Sequence, residues 1–291
     1  MRPPSALVAL VGVALVLTAP PALRAAAGQE AAAGGAWRRA PLWDDGRAEF
    51  SVYEVDWPRY GASHRGRALL VLVKEPWAPD LDVKADRPRA DGFDVLKLNH
   101  VREVPTGVYT YEQAASLYFR RDDGGLRKLV ATSFEACGIS TAHLRDGRLE
   151  TRSYFDGQGD RSLAWPAGAV AEDGLAAALR DFVAGEAPPA LAVFPSLMAS
   201  RFPPLAARSY RVTRREIGEI EVPAGRFAAV ELRLEGQDGA LLYRFAAAPP
   251  HALLHLRHPD GTEYRLVKSE RLAYWQMHAP GDEKWLPEGL R

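Results

Sequence analysis

Apolar and polar residues alternate along most of this chain, and the alternation is broken at short intervals by Gly, Pro and Asp. A period of two predicts strands with one buried and one wet face. The stretch EIEVPAGRFAAVELRLEG at 219–236 shows the rule. Ile220 and Val222 share one face, and Val230, Leu232 and Leu234 share the matching face of the return strand. Pro223 pre-sets a turn dihedral, and Gly225 supplies the positive φ of a three-residue hairpin. A slip of one residue would expose every apolar side chain, so the register is strongly specified.

The same reading predicts strands at 48–55, 67–75, 93–104, 108–121, 126–137, 149–155, 208–215, 217–222, 226–235, 240–246, 253–258 and 262–268. The segment ASHRG at 62–66 reads as a loop. Turns fall at Pro105-Thr106-Gly107, Asp122 to Gly125, Asp146-Gly147 and Pro259-Asp260-Gly261. One segment has helical spacing instead. Over 173–185, Leu175, Leu179, Phe182 and Val183 fall on one side, with Gly185 as a stop and Pro188-Pro189 beyond it. A second short helix is expected over 194–202. The expected fold is mainly β: a long curled antiparallel sheet or half-open barrel, with one main helix at about 173–185 completing its core.

The N-terminus changes the setting. Arg2 precedes an apolar run at 6–19, and small residues at Ala25-Ala26-Ala27 follow. That is the pattern of a secretory signal peptide cleaved after Ala27. The run is shorter than the roughly 20 residues a spanning helix needs, and no cysteine follows it to carry a lipid. The expected organisation is a signal peptide at 1–27, a flexible Ala/Gly-rich leader at 28–42, a single β-rich domain at 43–279 and a surface tail at 280–291. The mature protein is expected to be exported, to the periplasm first and the extracellular space second, and not to be an integral membrane protein. Lys plus Arg and Asp plus Glu each number 37, so no basic excess points to nucleic acid. The single cysteine, Cys137, excludes an intrachain disulfide.

Candidate chemistry is sparse. His251, His255 and His258 are close in sequence, but strand geometry sends His255 and His258 to opposite faces, which defeats three-fold metal ligation. Cys137 and His143 suggest a thiol nucleophile with its base, although a sheltered thiol is the simpler reading. Asp156-Gly157-Gln158-Gly159-Asp160 begins like a calcium loop, but Arg161 and Ala167 stand where glycine and glutamate are needed, so it reads as a polar turn. No P-loop, G-x-S-x-G, H-E-x-x-H or C-x-x-C motif is found. No catalytic, cofactor-binding or metal-binding residues, and no cofactor, are assigned. The tryptophans at 43, 57, 77, 165, 275 and 285 are spread through the chain, placed to fill the core or to line a groove for an apolar ligand.

Several segments together carry a resemblance. They are Tyr53-Glu54 with Tyr60-Gly61, VKAD at 83–86, LKLN at 96–99, TGVYTY at 106–111, FEACG at 134–138, VPAGRF at 222–227 and RLAYW at 271–275. With these the chain resembles an uncharacterised family of exported bacterial proteins, a domain of unknown function. Some members of that family carry a septum-formation-inhibitor (Maf) label, but the chain does not resemble the nucleotide-hydrolysing enzymes of that name. The family implies no catalytic residues. Together these features suggest non-enzymatic binding of a lipid, another apolar small molecule or an envelope protein. One alternative is a secreted hydrolase whose site is assembled from distant residues, with His64, His100, His143 and Cys137 as candidates. The other is a structural scaffold.

Overall fold

The computed structural model describes residues 35–288. The signal peptide and the first part of the expected leader lie outside the described residues. The strands are β1 (Ala48–Arg59), β2 (Ala62–Ala78), β3 (Val83–Lys84), β4 (Phe93–Pro105), β5 (Thr110–Arg120), β6 (Leu126–Glu135), β7 (Gly138–Arg145) and β8 (Arg148–Arg152). They continue as β9 (Arg161–Ala164), β10 (Val170–Ala171), β11 (Ala190–Phe194), β12 (Arg208–Val222), β13 (Gly225–Gly236), β14 (Gly239–Ala246), β15 (Leu253–Arg257) and β16 (Glu263–Leu272). All belong to one sheet that does not close on itself. Its order runs β10 through β16, then β1, β2 and β4 through β9, with β3 as a spur on β2. Only the β10–β11 pair is parallel.

The sheet curls so that one face of nearly every strand meets in a common core. Leu72, Leu98, Leu117, Leu129, Leu149, Leu232 and Phe245 are all buried in it. The expected helix fills the interior in three short pieces. A 3-10 turn at Glu172–Gly174 leads into an α-helix at Leu175–Ala178, and a second 3-10 turn follows at Leu179–Phe182. Leu175, Leu179 and Val183 are buried. A side chain on Gly174 would run into Leu117 and Phe119 of β5, so glycine permits that close approach. The crossover is anchored by Arg180, whose Nη1 and Nη2 donate to Glu49 Oε2 and Oε1 at 3.0 and 2.6 Å.

Five local readings are corrected. Residues 62–66 are not a loop but the start of β2; the turn is Tyr60-Gly61, both at positive φ (54° and 75°), with Arg59 paired to Ala62. Those dihedrals suit a two-residue type I′ hairpin, and a tyrosine in that position gives no sequence warning. Residues 138–145, left without an element in the sequence reading, form β7. Residues 194–202 form no second helix: β11 ends at Phe194 and an irregular loop follows. At 222–225 the turn holds two residues, because Val222 pairs directly with Gly225, whose φ is 128°. Residues 35–42, read as leader, carry a short helix at Ala36–Arg39, and Trp37 enters the core. Within the C-terminal segment, Trp285 packs edge-on against Phe50 at 5.0 Å. Among the described residues no helix is long and apolar enough to cross a membrane.

Candidate functional site

The inward faces of several strands are apolar for most of their length and turn polar where they reach one cavity. On β1 the inward series Tyr53, Val55, Trp57 ends in Arg59, and on β4 the series Leu96, Leu98 continues as His100 and Arg102. β5 contributes Tyr111 and Gln113, β14 Tyr243 and β16 Tyr264. The turn after β15 adds His258 and Asp260, and the start of the crossover adds Glu172 and Asp173. The cavity encloses about 210 Å³, less than the roughly 300–1,000 Å³ of clefts that hold drug-sized ligands.

The irregular loop after β11 closes one side. It has no ladder bonds of its own, so side chains hold it. Asp173 accepts from Ser196 Oγ at 2.5 Å and from the Leu197 N–H at 2.8 Å. Gln158 donates to the Phe202 carbonyl at 2.6 Å and accepts from the Phe202 N–H at 3.1 Å. Ser140 Oγ donates to the Ser200 carbonyl at 2.6 Å. The Asp156–Asp160 turn thus serves, through Gln158, to tie down the cavity wall.

The cavity has two chemical zones. In the first, His258 Nε2 lies 3.0 Å from the Tyr243 hydroxyl and Nδ1 lies 3.6 Å from Glu172 Oε1. The second distance is within ion-pair range but too long for a direct hydrogen bond. Burial, then the neighbouring Asp173 and Asp260 carboxylates, push Glu172 up to about 8. Burial and then Arg102 hold His100 down to about 3, and burial holds His258 down to about 4. At neutral pH this zone therefore carries a protonated Glu172 and two neutral imidazoles.

The second zone is cationic. Arg59, Arg102 and Arg201 line the cavity, and among the described residues none of the three forms an ion pair with a carboxylate. Elsewhere the chain pairs its half-buried arginines thoroughly: Arg265 meets Glu54, Asp56 and Glu263, and Arg121 meets Asp44 and Asp94. Arg102 is held instead by an amide, with Nε 2.9 Å from Gln113 Oε1. Gln113 is buried and donates to Ser133 Oγ at 3.0 Å and to the Met198 carbonyl at 2.6 Å. Arg59 is held by rings: its guanidinium carbon lies 5.4, 5.1 and 5.5 Å from the centroids of Trp57, Tyr60 and Tyr111. Glu135 senses Arg59, but its oxygens accept from the Cys137 N–H at 2.6 Å and the Tyr154 hydroxyl at 2.8 Å.

Of the residues singled out in the sequence, only His100, His258 and Trp57 reach this cavity. His255 faces the other side of the sheet and contacts Glu263 at 2.6 Å, while His251 contacts the Ala246 carbonyl at 3.1 Å. His64 lies against the Arg59 carbonyl at 3.1 Å, and His143 stands half-buried on the outer face. Cys137 occupies the turn between β6 and β7 with an exposed thiol, not a sheltered one. Glu135, through its hydrogen bond and its charge, raises the thiol above its ordinary value, away from nucleophilic character. Trp43 and Trp77 are core residues, Trp165 stacks on Phe194 at 4.5 Å, and Trp275 is exposed. No protein-family model, curated protein or solved structure matches the chain.

Proposed function

We propose that the protein is an exported envelope protein that binds a small anionic molecule in this cavity without transforming it. The observation that carries the reading is the set of three arginines lining one cavity with no carboxylate partner among the described residues. Arg59 and Arg102 are half-buried and Arg201 is exposed; a half-buried guanidinium beside neutral partners retains its charge and seeks an anion. The export expectation rests on the N-terminal apolar run, and the family resemblance agrees with it. A purely apolar ligand would leave the arginines uncompensated, and a long acyl chain exceeds the volume. Trp57, Met198 and Leu256 give the ligand a short apolar wall.

The test is calorimetric titration of the mature protein with a panel of small mono- and dianions, paired with native mass spectrometry of protein purified from a bacterial envelope. Arg102→Gln is expected to weaken anion binding at least about tenfold, the effect of losing one charge-assisted contact. No binding of any anion at millimolar concentration would overturn the reading and favour a scaffold role.

A second reading is a hydrolase, supported by the Glu172–His258–Tyr243 series, which pairs a protonated carboxyl with an imidazole in one cavity. It requires turnover of an ester or glycoside that Glu172→Gln abolishes while binding persists.

A further inference from the structure

The two best-positioned arginines share one support. The guanidinium carbons of Arg59 and Arg102 lie 5.4 and 4.9 Å from the centroid of the same ring, that of Trp57. They come from β1 and β4, which are separated by β2 in the sheet order, and both reach the one ring. We propose that the cavity holds a tetrahedral dianion, the phosphate head of a small monoester, between Arg59 and Arg102. This rests on the anion-binding reading above and names the class of anion.

Three observations carry it. First, two guanidinium groups on one indole, both without a carboxylate, call for two negative charges. A single carboxylate balances only one of them, whereas a tetrahedral head offers three peripheral oxygens to two forks. Second, Arg102 is positioned without being neutralised. Gln113 accepts from it through Oε1, and its own amide nitrogen is locked by Ser133 and the Met198 carbonyl. A glutamate at 113 would cancel the charge and would also set an acceptor oxygen against the Met198 carbonyl where the amide donates. Gln113 is thus a positioning residue, and the choice of amide over carboxylate keeps the cation available. Third, the polar remainder of the cavity suits the body of such an ester. Glu172, His258 and Tyr243 present hydroxyl and imidazole partners to hydroxyl groups, and the volume of about 210 Å³ limits the body to a few carbons.

The experiment titrates the mature chain with sulfate, inorganic phosphate and acetate at constant ionic strength, then with short-chain phosphate monoesters and, as singly charged controls of the same shape, the matching sulfate monoesters. The expected result is that both dianions bind at least tenfold tighter than acetate. Arg59→Gln and Arg102→Gln each reduce that preference. Gln113→Glu removes it while circular dichroism and the melting curve show a folded chain. The phosphate monoester is expected to bind at least tenfold tighter than its singly charged sulfate counterpart, and equal binding of the two overturns the dianion assignment. The wild-type ratio of dianion to acetate affinity needs no variant to fold. Acetate binding as tightly as the dianions overturns this assignment and leaves the anion reading standing. If no anion binds, both fall. An unchanged dianion preference in a folded Gln113→Glu variant removes the positioning role.

Discussion

Arg180 meets Glu49 through two parallel hydrogen bonds, and the two side chains are only 3% and 6% exposed. Arg180 also donates from Nε to the Ala176 carbonyl and from Nη1 to the Pro250 carbonyl, both at 3.2 Å. One side chain therefore ties the crossover to β1 and to the approach to β15. A buried pair of this kind is costly to halve, because the survivor is left charged and unpaired. Arg180→Met or Glu49→Leu alone should cost about 3–5 kcal/mol, and the two together should cost clearly less than the sum. Urea unfolding midpoints of the three variants check this; additive costs would show the pair to be uncoupled.

Glu172 should shape the alkaline side of the stability profile. Its folded value is raised from 4.5 to about 8. Between those values the folded chain keeps a proton that the unfolded chain releases, so stability falls as pH rises through that window. His100 and His258 act in the opposite sense. Their folded values are lowered from 6.5 to about 3 and about 4, so stability is lost as pH falls below the ordinary histidine range. Melting temperature is expected to peak at roughly pH 6–7, and Glu172→Gln should flatten the alkaline limb only. Melting curves across pH decide it; an unchanged alkaline limb would mean that Glu172 is ionised in the fold at neutrality.

The same proton should govern ligand affinity. With Glu172 neutral, the three arginines outnumber the Asp173 and Asp260 carboxyls that line the same cavity. Sulfate keeps its charge across this range and is therefore a clean probe. Its binding should weaken as pH rises through about 8, where Glu172 becomes an anion, and Glu172→Gln should remove that dependence. Calorimetry at pH 6.5 and 9 distinguishes the outcomes.

Cys137 is exposed yet should react slowly with thiol reagents, because the adjacent Glu135 carboxylate opposes the thiolate. Glu135→Gln should accelerate modification at pH 7.5, and Cys137→Ser should change stability by no more than about 0.5 kcal/mol. A rate already matching that of free cysteine in the wild type would contradict the electrostatic account.

Gly66 lets β4 approach β2 closely. A Cβ there would collide with the Glu103 carbonyl and Val104 of the neighbouring strand. Gly66→Ala should destabilise by about 1–3 kcal/mol, and it should also weaken anion binding, because β2 lies between the strands carrying Arg59 and Arg102. Denaturant titration and calorimetry on the same preparation test both effects.

The sheet was legible because alternation survives in strands whose outer face is wet. Val230, Leu232 and Leu234 are buried as their spacing requires. β7 escaped because its inward residues are Ser140, Ala142 and Leu144, too small and polar to register as an apolar face. The main helix was visible as a stripe, but a stripe does not encode its division into 3-10 and α pieces. The site was legible in a form that was not used. Arg59 after Tyr53, Val55 and Trp57, and Arg102 after Leu96, Leu98 and His100, each interrupt an otherwise apolar face. A charged residue in phase with a buried face is a signal in one strand. Only the sheet order shows that these interruptions meet.

That order has a kinetic consequence. Apart from the crossover and the β3 spur, every ladder joins strands that follow one another in sequence, except β1 with β16, where Ala48 pairs with Leu272. β9 and β10, the two free edges, are consecutive in the chain and separated only by residues 165–169. The molecule is thus two local meanders, each able to form over short loops, joined late by one ladder of very high contact order. New chain ends placed between β9 and β10, with the old ends joined, would make that ladder local. Such a circular permutant should fold faster than the natural order while keeping the same sheet.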